Sequence, residues 1–167
     1  MKKYAILIVA LIVLAAACSK ETQGNIQIYM KDAPGDLEKI LVIITSITVH
    51  QTGGAYILVS QEEKTIDLIQ LKSRQEYIAV GKLDPGKYTE IRLIINSGSV
   101  VDAGVTYNLT IPSFEIKIPA QFDILKEQTT KIILDFDGEN SVEVHPLGGG
   151  QNEYILRPVI NVESISY

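Results

Sequence analysis

In the stretch Thr130-Lys131-Ile132-Ile133-Leu134-Asp135-Phe136-Asp137, Ile132, Leu134 and Phe136 share one phase of a two-residue period, and Asp135 and Asp137 share the other. Side chains two apart stand on the same face of a β-strand, so this run reads as a strand with one face turned to a core. The same alternation appears at Ile26, Ile28 and Met30, set against Gln27, Tyr29 and Lys31, and again at Ile91, Leu93 and Ile95 within Tyr88 to Asn96. Ile40 to His50 is dense in β-branched residues, which suit a pleated surface. Shorter extended runs are expected at residues 55–59, 64–68, 105–111, 115–118 and 142–145, and one closing strand over 154–166. Turn residues separate them at Gln51-Thr52-Gly53-Gly54, Asp84-Pro85-Gly86, Asp137-Gly138-Glu139-Asn140 and Gly148-Gly149-Gly150. Many short strands at this spacing predict an all-β fold, a single β-sandwich of immunoglobulin-like or transthyretin-like kind. One segment departs from the pattern. Asp67 with Gln70 three residues on resembles a helix start and Gly81 a stop, which predicts at most one short helix near 68–80.

Composition sets the remaining bounds. The chain has 167 residues, 46% of them apolar and 21% charged, enough for one domain with its own core. A single cysteine, Cys18, leaves no intrachain disulfide and no zinc site built on several thiolates, and His50 and His145 are too few for a His-rich metal centre. No cofactor is implied by any of these residues.

The first twenty residues carry an address. Lys2 and Lys3 precede an uncharged apolar run from Ala5 to Ala17, and Ala15-Ala16-Ala17 brings small residues up to Cys18. The run is about 13 residues, or roughly 20 Å as a helix, short of the ~30 Å hydrocarbon layer. Residues 1–17 are therefore expected to be a signal peptide. Small residues ending at a cysteine resemble the lipobox of bacterial lipoproteins, and that resemblance implies lipid attachment at Cys18. Ala15 stands where such sequences usually have Leu, with Leu14 one step earlier. Residues 18–23 have no apolar periodicity and read as a tether, leaving 24–167 for the sandwich. Without the leader, 13 basic residues face 20 acidic ones, a formal charge of −7 that repels nucleic acid. The expected location is the cell membrane or outer membrane, on the extracytoplasmic side.

Several short blocks, taken in order, are similar to a known family. Asp32-Ala33-Pro34, Ile43-Ile44-Thr45, Ile66-Asp67-Leu68 and Leu83-Asp84-Pro85-Gly86-Lys87-Tyr88 are followed by Ile111-Pro112-Ser113, Leu134-Asp135-Phe136-Asp137, Ser141-Val142 and Tyr154-Ile155-Leu156-Arg157-Pro158-Val159-Ile160. Over about residues 24–162 this order resembles the domain of unknown function 4382 family. The resemblance implies a secreted or lipid-anchored prokaryotic β-sandwich domain and no established activity. Tyr56 stands where that family often has a tryptophan after the glycine-rich turn, and Phe114 where it often has a glycine.

Candidate chemistry is sparse. Asp135 and Asp137 would place their Cα atoms about 6–7 Å apart on one face, which reads first as a solvated strand end leading into Gly138 or a cation site shared with Glu139, and last as paired carboxylates for hydrolysis. Asp32 and Asp36 flank Pro34-Gly35, which reads first as a corner and second as part of a hard-cation site. Tyr88 and Arg92 are expected on the face opposite Ile91 and Leu93, which reads first as a tyrosine packed over the sheet with its hydroxyl at the edge and second as a carbohydrate platform. Arg157 is expected to pair with Glu90 or Asp135. Neither histidine lies in a catalytic motif, and no serine occupies a glycine-flanked elbow. The leading expectation is a non-enzymatic binding or structural module, monomeric, anchored at Cys18 and meeting an envelope protein or a glycan. The alternative is a cation-dependent carbohydrate-binding or hydrolytic protein using Asp135, Asp137 and Asp32.

Overall fold

The structure, a computed structural model, describes residues 22–32 and 37–167. The leader, Cys18 and most of the tether lie outside the described residues, as do Ala33 to Asp36 and the carboxylate of Asp32. Twelve strands account for most of what is described: β1 Gly24–Asp32, β2 Lys39–Gln51, β3 Tyr56–Ser60, β4 Lys64–Asp67, β5 Glu76–Leu83, β6 Gly86–Asp102, β7 Val105–Thr110, β8 Glu115–Ile124, β9 Thr129–Phe136, β10 Val142–Gly148, β11 Gln151–Leu156 and β12 Ile160–Ser166. Two short helical segments interrupt them, a 3-10 segment over Leu68–Ser73 and a single turn over Gly138–Ser141.

The strands form two sheets. The smaller runs β12-β9-β1-β5, and the larger runs β10-β11-β7-β6-β2-β3, with β4 also on β2 and β8 also on β6. Most neighbours are antiparallel, but β1 pairs with β9 in parallel and β7 with β11 in parallel. The alternation described above faces inward from both sheets. Ile26, Ile28, Met30, Ile132, Leu134 and Phe136 from the smaller sheet meet Val42, Val49, Ile91, Leu93 and Ile95 from the larger in one fully buried cluster. This is the all-β sandwich that period-two patterning predicts.

The differences from that pattern have local causes. Only 68–73 of the segment expected to be helical is helical, and the rest is strand β5. A bulge shifts the register so that Ile28 opposes Ala79 and Tyr29 opposes Tyr77, and both Ile78 and Ala79 are buried. Two successive inward residues mimic helical spacing. Gly81 does not stop a helix; it lies where β5 passes β3, and an added Cβ would stand 3.1 Å from the Val59 side chain. Asp67 does bond Gln70, whose Nε2 donates to Oδ2 at 3.0 Å. The closing strand is two strands, β11 in the larger sheet and β12 in the smaller, because Pro158 lies between them and the chain changes sheet there.

That change of sheet is fixed by one corner. Ser141, fully buried, donates from Oγ to the Asp137 carbonyl and accepts the Val159 amide at 2.8 Å, while its own carbonyl accepts the Arg157 amide at 2.8 Å. The Asp137 amide closes the loop by donating to the Val159 carbonyl at 2.9 Å. The blocks around Asp137, Ser141 and Arg157-Pro158-Val159, scattered in sequence, thus meet in one hydrogen-bonded crossing.

Candidate functional site

Bulges also decide what the outer face of the larger sheet displays. Register slips between Tyr88 and Glu90 on β6, so Tyr88 turns inward with Ile91 and Leu93. Tyr88 is 1% exposed, stacks on Phe122 with ring centroids 5.2 Å apart, and donates its hydroxyl to the Asp84 carbonyl at 2.8 Å. The expectation of an outward Tyr88 is corrected by this one-residue insertion. Arg92 does face outward, and another tyrosine meets it.

Two rows of side chains cross the outer face. Tyr56 on β3 opposes His50 on β2, which opposes Glu90 on β6, which opposes Pro119 on β8. In the adjoining row Leu58, Thr48, Arg92 and Lys117 stand side by side. Tyr56 reaches across β2: its hydroxyl donates to Glu90 Oε1 at 3.0 Å and accepts from Arg92 Nη2. Its ring packs on His50 with centroids 4.7 Å apart, and the Arg92 guanidinium carbon lies 3.5 Å from the ring centre. Arg92 also donates from Nε to Glu90 at 2.6 Å and pairs through Nη1 with Glu115 at 3.0 Å, while Lys117 lies 3.5 Å from the same Glu115 oxygen. His50 Nδ1 is 3.0 Å from Thr89 Oγ1. The Arg92 hydrogen bond, seconded by that of Tyr56 and opposed by partial burial, holds the Glu90 carboxyl below the usual carboxylate range. Partial burial, with the bond to Glu90, pushes the Tyr56 phenol up.

The Arg92 side chain is 22% exposed and Tyr56 40%, so the guanidinium is the more covered partner and the ring, with Arg92 and His50 against it, still meets solvent. Leu58, two residues along the same strand face, is 51% exposed. Beyond Glu115 and Lys117 the sheet opens into a notch of about 340 Å³ bounded also by Ser113 and Arg157.

The two strand-end aspartates have different partners. Asp135 faces outward on the smaller sheet, 3.9 Å from Lys31, which pairs at 2.6 Å with Glu163. Asp137 caps the turn Gly138–Ser141, accepting the Asn140 amide on Oδ1 at 3.1 Å and its side-chain amide on Oδ2 at 2.7 Å. Those two bonds, the side-chain one first, hold its carboxyl below the usual range. Arg157 pairs with Glu143 at 3.0 Å, not with Glu90 or Asp135, and its side chain is 57% exposed. His145 lies on the same Glu143 carboxylate at 3.4 Å. Among the described residues no three His, Cys, Asp or Glu side chains gather closely enough to hold a metal ion.

The pairing of Tyr56 with Arg92 was missed because 36 residues separate them, yet a signal existed. A hairpin closed by Thr52-Gly53-Gly54 sets Tyr56 against His50, and the alternation of β6 sets Glu90 and Arg92 outward.

In comparison with known proteins, a family model described as Domain of unknown function (DUF4382) matches residues 23–158. Neither a curated protein nor a solved structure matches.

Proposed function

The chain belongs to the DUF4382 family, and on that premise we propose that it is a non-enzymatic binding module, moored outside the cytoplasm by a lipid on Cys18. One observation carries the non-enzymatic part. The two carboxylates the sequence offers for chemistry serve different neighbours, Asp135 facing Lys31 and Asp137 capping a turn with both oxygens. A pair acting on one bond or one cation must converge.

The anchoring part rests on the leader, on the small residues before Cys18, and on the way the domain begins. An added Cβ on Gly24 would fall 2.3 Å from the Leu125 carbonyl oxygen, so the chain enters β1 through a contact that admits only glycine. Residues 18–23 span at most about 20 Å when extended. On this reading the end of the sandwich at Gly24 lies within about 20 Å of the bilayer. Mass spectrometry of the membrane-extracted protein tests this. An acylated Cys18 at the amino terminus is expected, with a Cys18→Ser variant unprocessed or in the soluble fraction; an intact Met1 or an unmodified Cys18 terminus contradicts it.

A further inference from the structure

We infer that the outer face of the larger sheet, centred on the Tyr56 ring and bordered by Leu58, Glu90, Arg92, Glu115 and Lys117, is a binding site for an uncharged oligosaccharide. The inference deepens the binding-module reading and rests on it. Every polar contact of the cluster joins side chain to side chain: Tyr56 to Glu90 and Arg92, Arg92 to Glu90 and Glu115, Lys117 to Glu115, His50 to Thr89. None of these relieves a backbone group, so the main chain does not call for the cluster.

What the cluster holds in place is an aromatic face. The hydroxyl of Tyr56 is fixed at two points and one ring face is backed by the guanidinium, so the ring has little freedom to lose when a ligand stacks on it. A flat apolar surface bordered by ionised planar groups has the shape of a sugar's needs. The C–H face of the sugar covers Tyr56 and Leu58, while its hydroxyls, each both donor and acceptor, reach carboxylates that only accept and cations that only donate.

Charge selects against other ligands. Two carboxylates and two cations ring the site, so it carries no formal charge to draw an anion, and the chain without its leader is at −7. A cationic ligand would meet a ring already engaged by Arg92. From β3 to β8 are three strand spacings, about 14 Å, with the notch beside Ser113 and Arg157 continuing past Lys117. That length accommodates more than one sugar ring.

The test is isothermal titration of the full-length, detergent-extracted protein with maltohexaose, cellohexaose, xylohexaose and mannohexaose, with dextran sulfate as the charged comparison. Binding of at least one neutral hexasaccharide is expected, weakened at least tenfold by Tyr56→Thr, which replaces the ring with a β-branched residue suited to a strand, and unaltered by Lys31→Gln on the opposite sheet. If Tyr56→Thr does not fold, Leu58→Lys is expected to give the same loss, since it places an ammonium on the platform without touching its hydrogen bonds. Absence of binding to all four at millimolar concentration, binding of dextran sulfate alone, or undiminished binding by the variant overturns the inference. Membrane fractionation of the same preparations separates the two readings: a protein that binds the saccharide yet is released without detergent supports the platform and sinks the anchor.

Discussion

The Tyr56 platform and the corner at Asp137–Ser141 are both clusters of polar side chains on a β-sandwich, but their bonds end in different places. At the corner most end on main chain: Ser141 Oγ serves the Asp137 carbonyl and the Val159 amide, and Asp137 serves the Asn140 amide as well as its side chain. At the platform they end on other side chains. A backbone amide left without a partner in the interior is costly, so the corner is required wherever the chain passes between sheets, whereas the platform could be absent and the sheets would still pair. Polar residues that a fold does not require are the ones whose presence calls for another explanation.

The contrast is open to attack from the corner first. Ser141→Ala leaves the Val159 amide without its acceptor and is expected to lower unfolding free energy by about 1–3 kcal/mol in urea titrations. A variant within error of the parent would mean that the corner is not what holds the crossing. Asp137→Ala, which removes a cap, is expected to cost about 1 kcal/mol. Acidity sharpens that expectation. The bonds from Asn140 depress the folded-state carboxyl below its unfolded value of about 3.9, so the stability they confer is present above that pH and fades as pH falls through the lower, folded value. The difference in urea midpoint between the parent and Asp137→Asn should accordingly shrink as the pH is taken from about 5 to below 3; a difference that stays constant with pH would contradict the assignment.

Alternation made much of this architecture legible. The inward faces of β1 and β9 were readable because the two-residue period runs intact along their buried stretches, and Ile132, Leu134 and Phe136 are all fully buried as their spacing requires. What escaped was wherever one strand gained a residue on its neighbour. The bulge at Ile28/Tyr29 made β5 resemble a helix, and the bulge between Tyr88 and Glu90 moved Tyr88 from the surface to the core. A bulge is a property of two strands, and neither sequence alone contains it. Pro158 did carry a signal for the break between β11 and β12, because a residue without an N–H seldom continues a central strand. For the site, Arg92 was legible from its phase, but its partner was assigned to Tyr88, nearby in sequence, when pairing of β3, β2 and β6 brings Tyr56 instead.

The central claim is that the fold does not depend on the platform. The urea midpoint of Tyr56→Thr, measured beside that of Ser141→Ala, tests it most directly. A midpoint for Tyr56→Thr close to the parent's, with Ser141→Ala well below both, is the expected result; a fall in Tyr56→Thr as large as that of Ser141→Ala would show that the ring serves the sandwich itself.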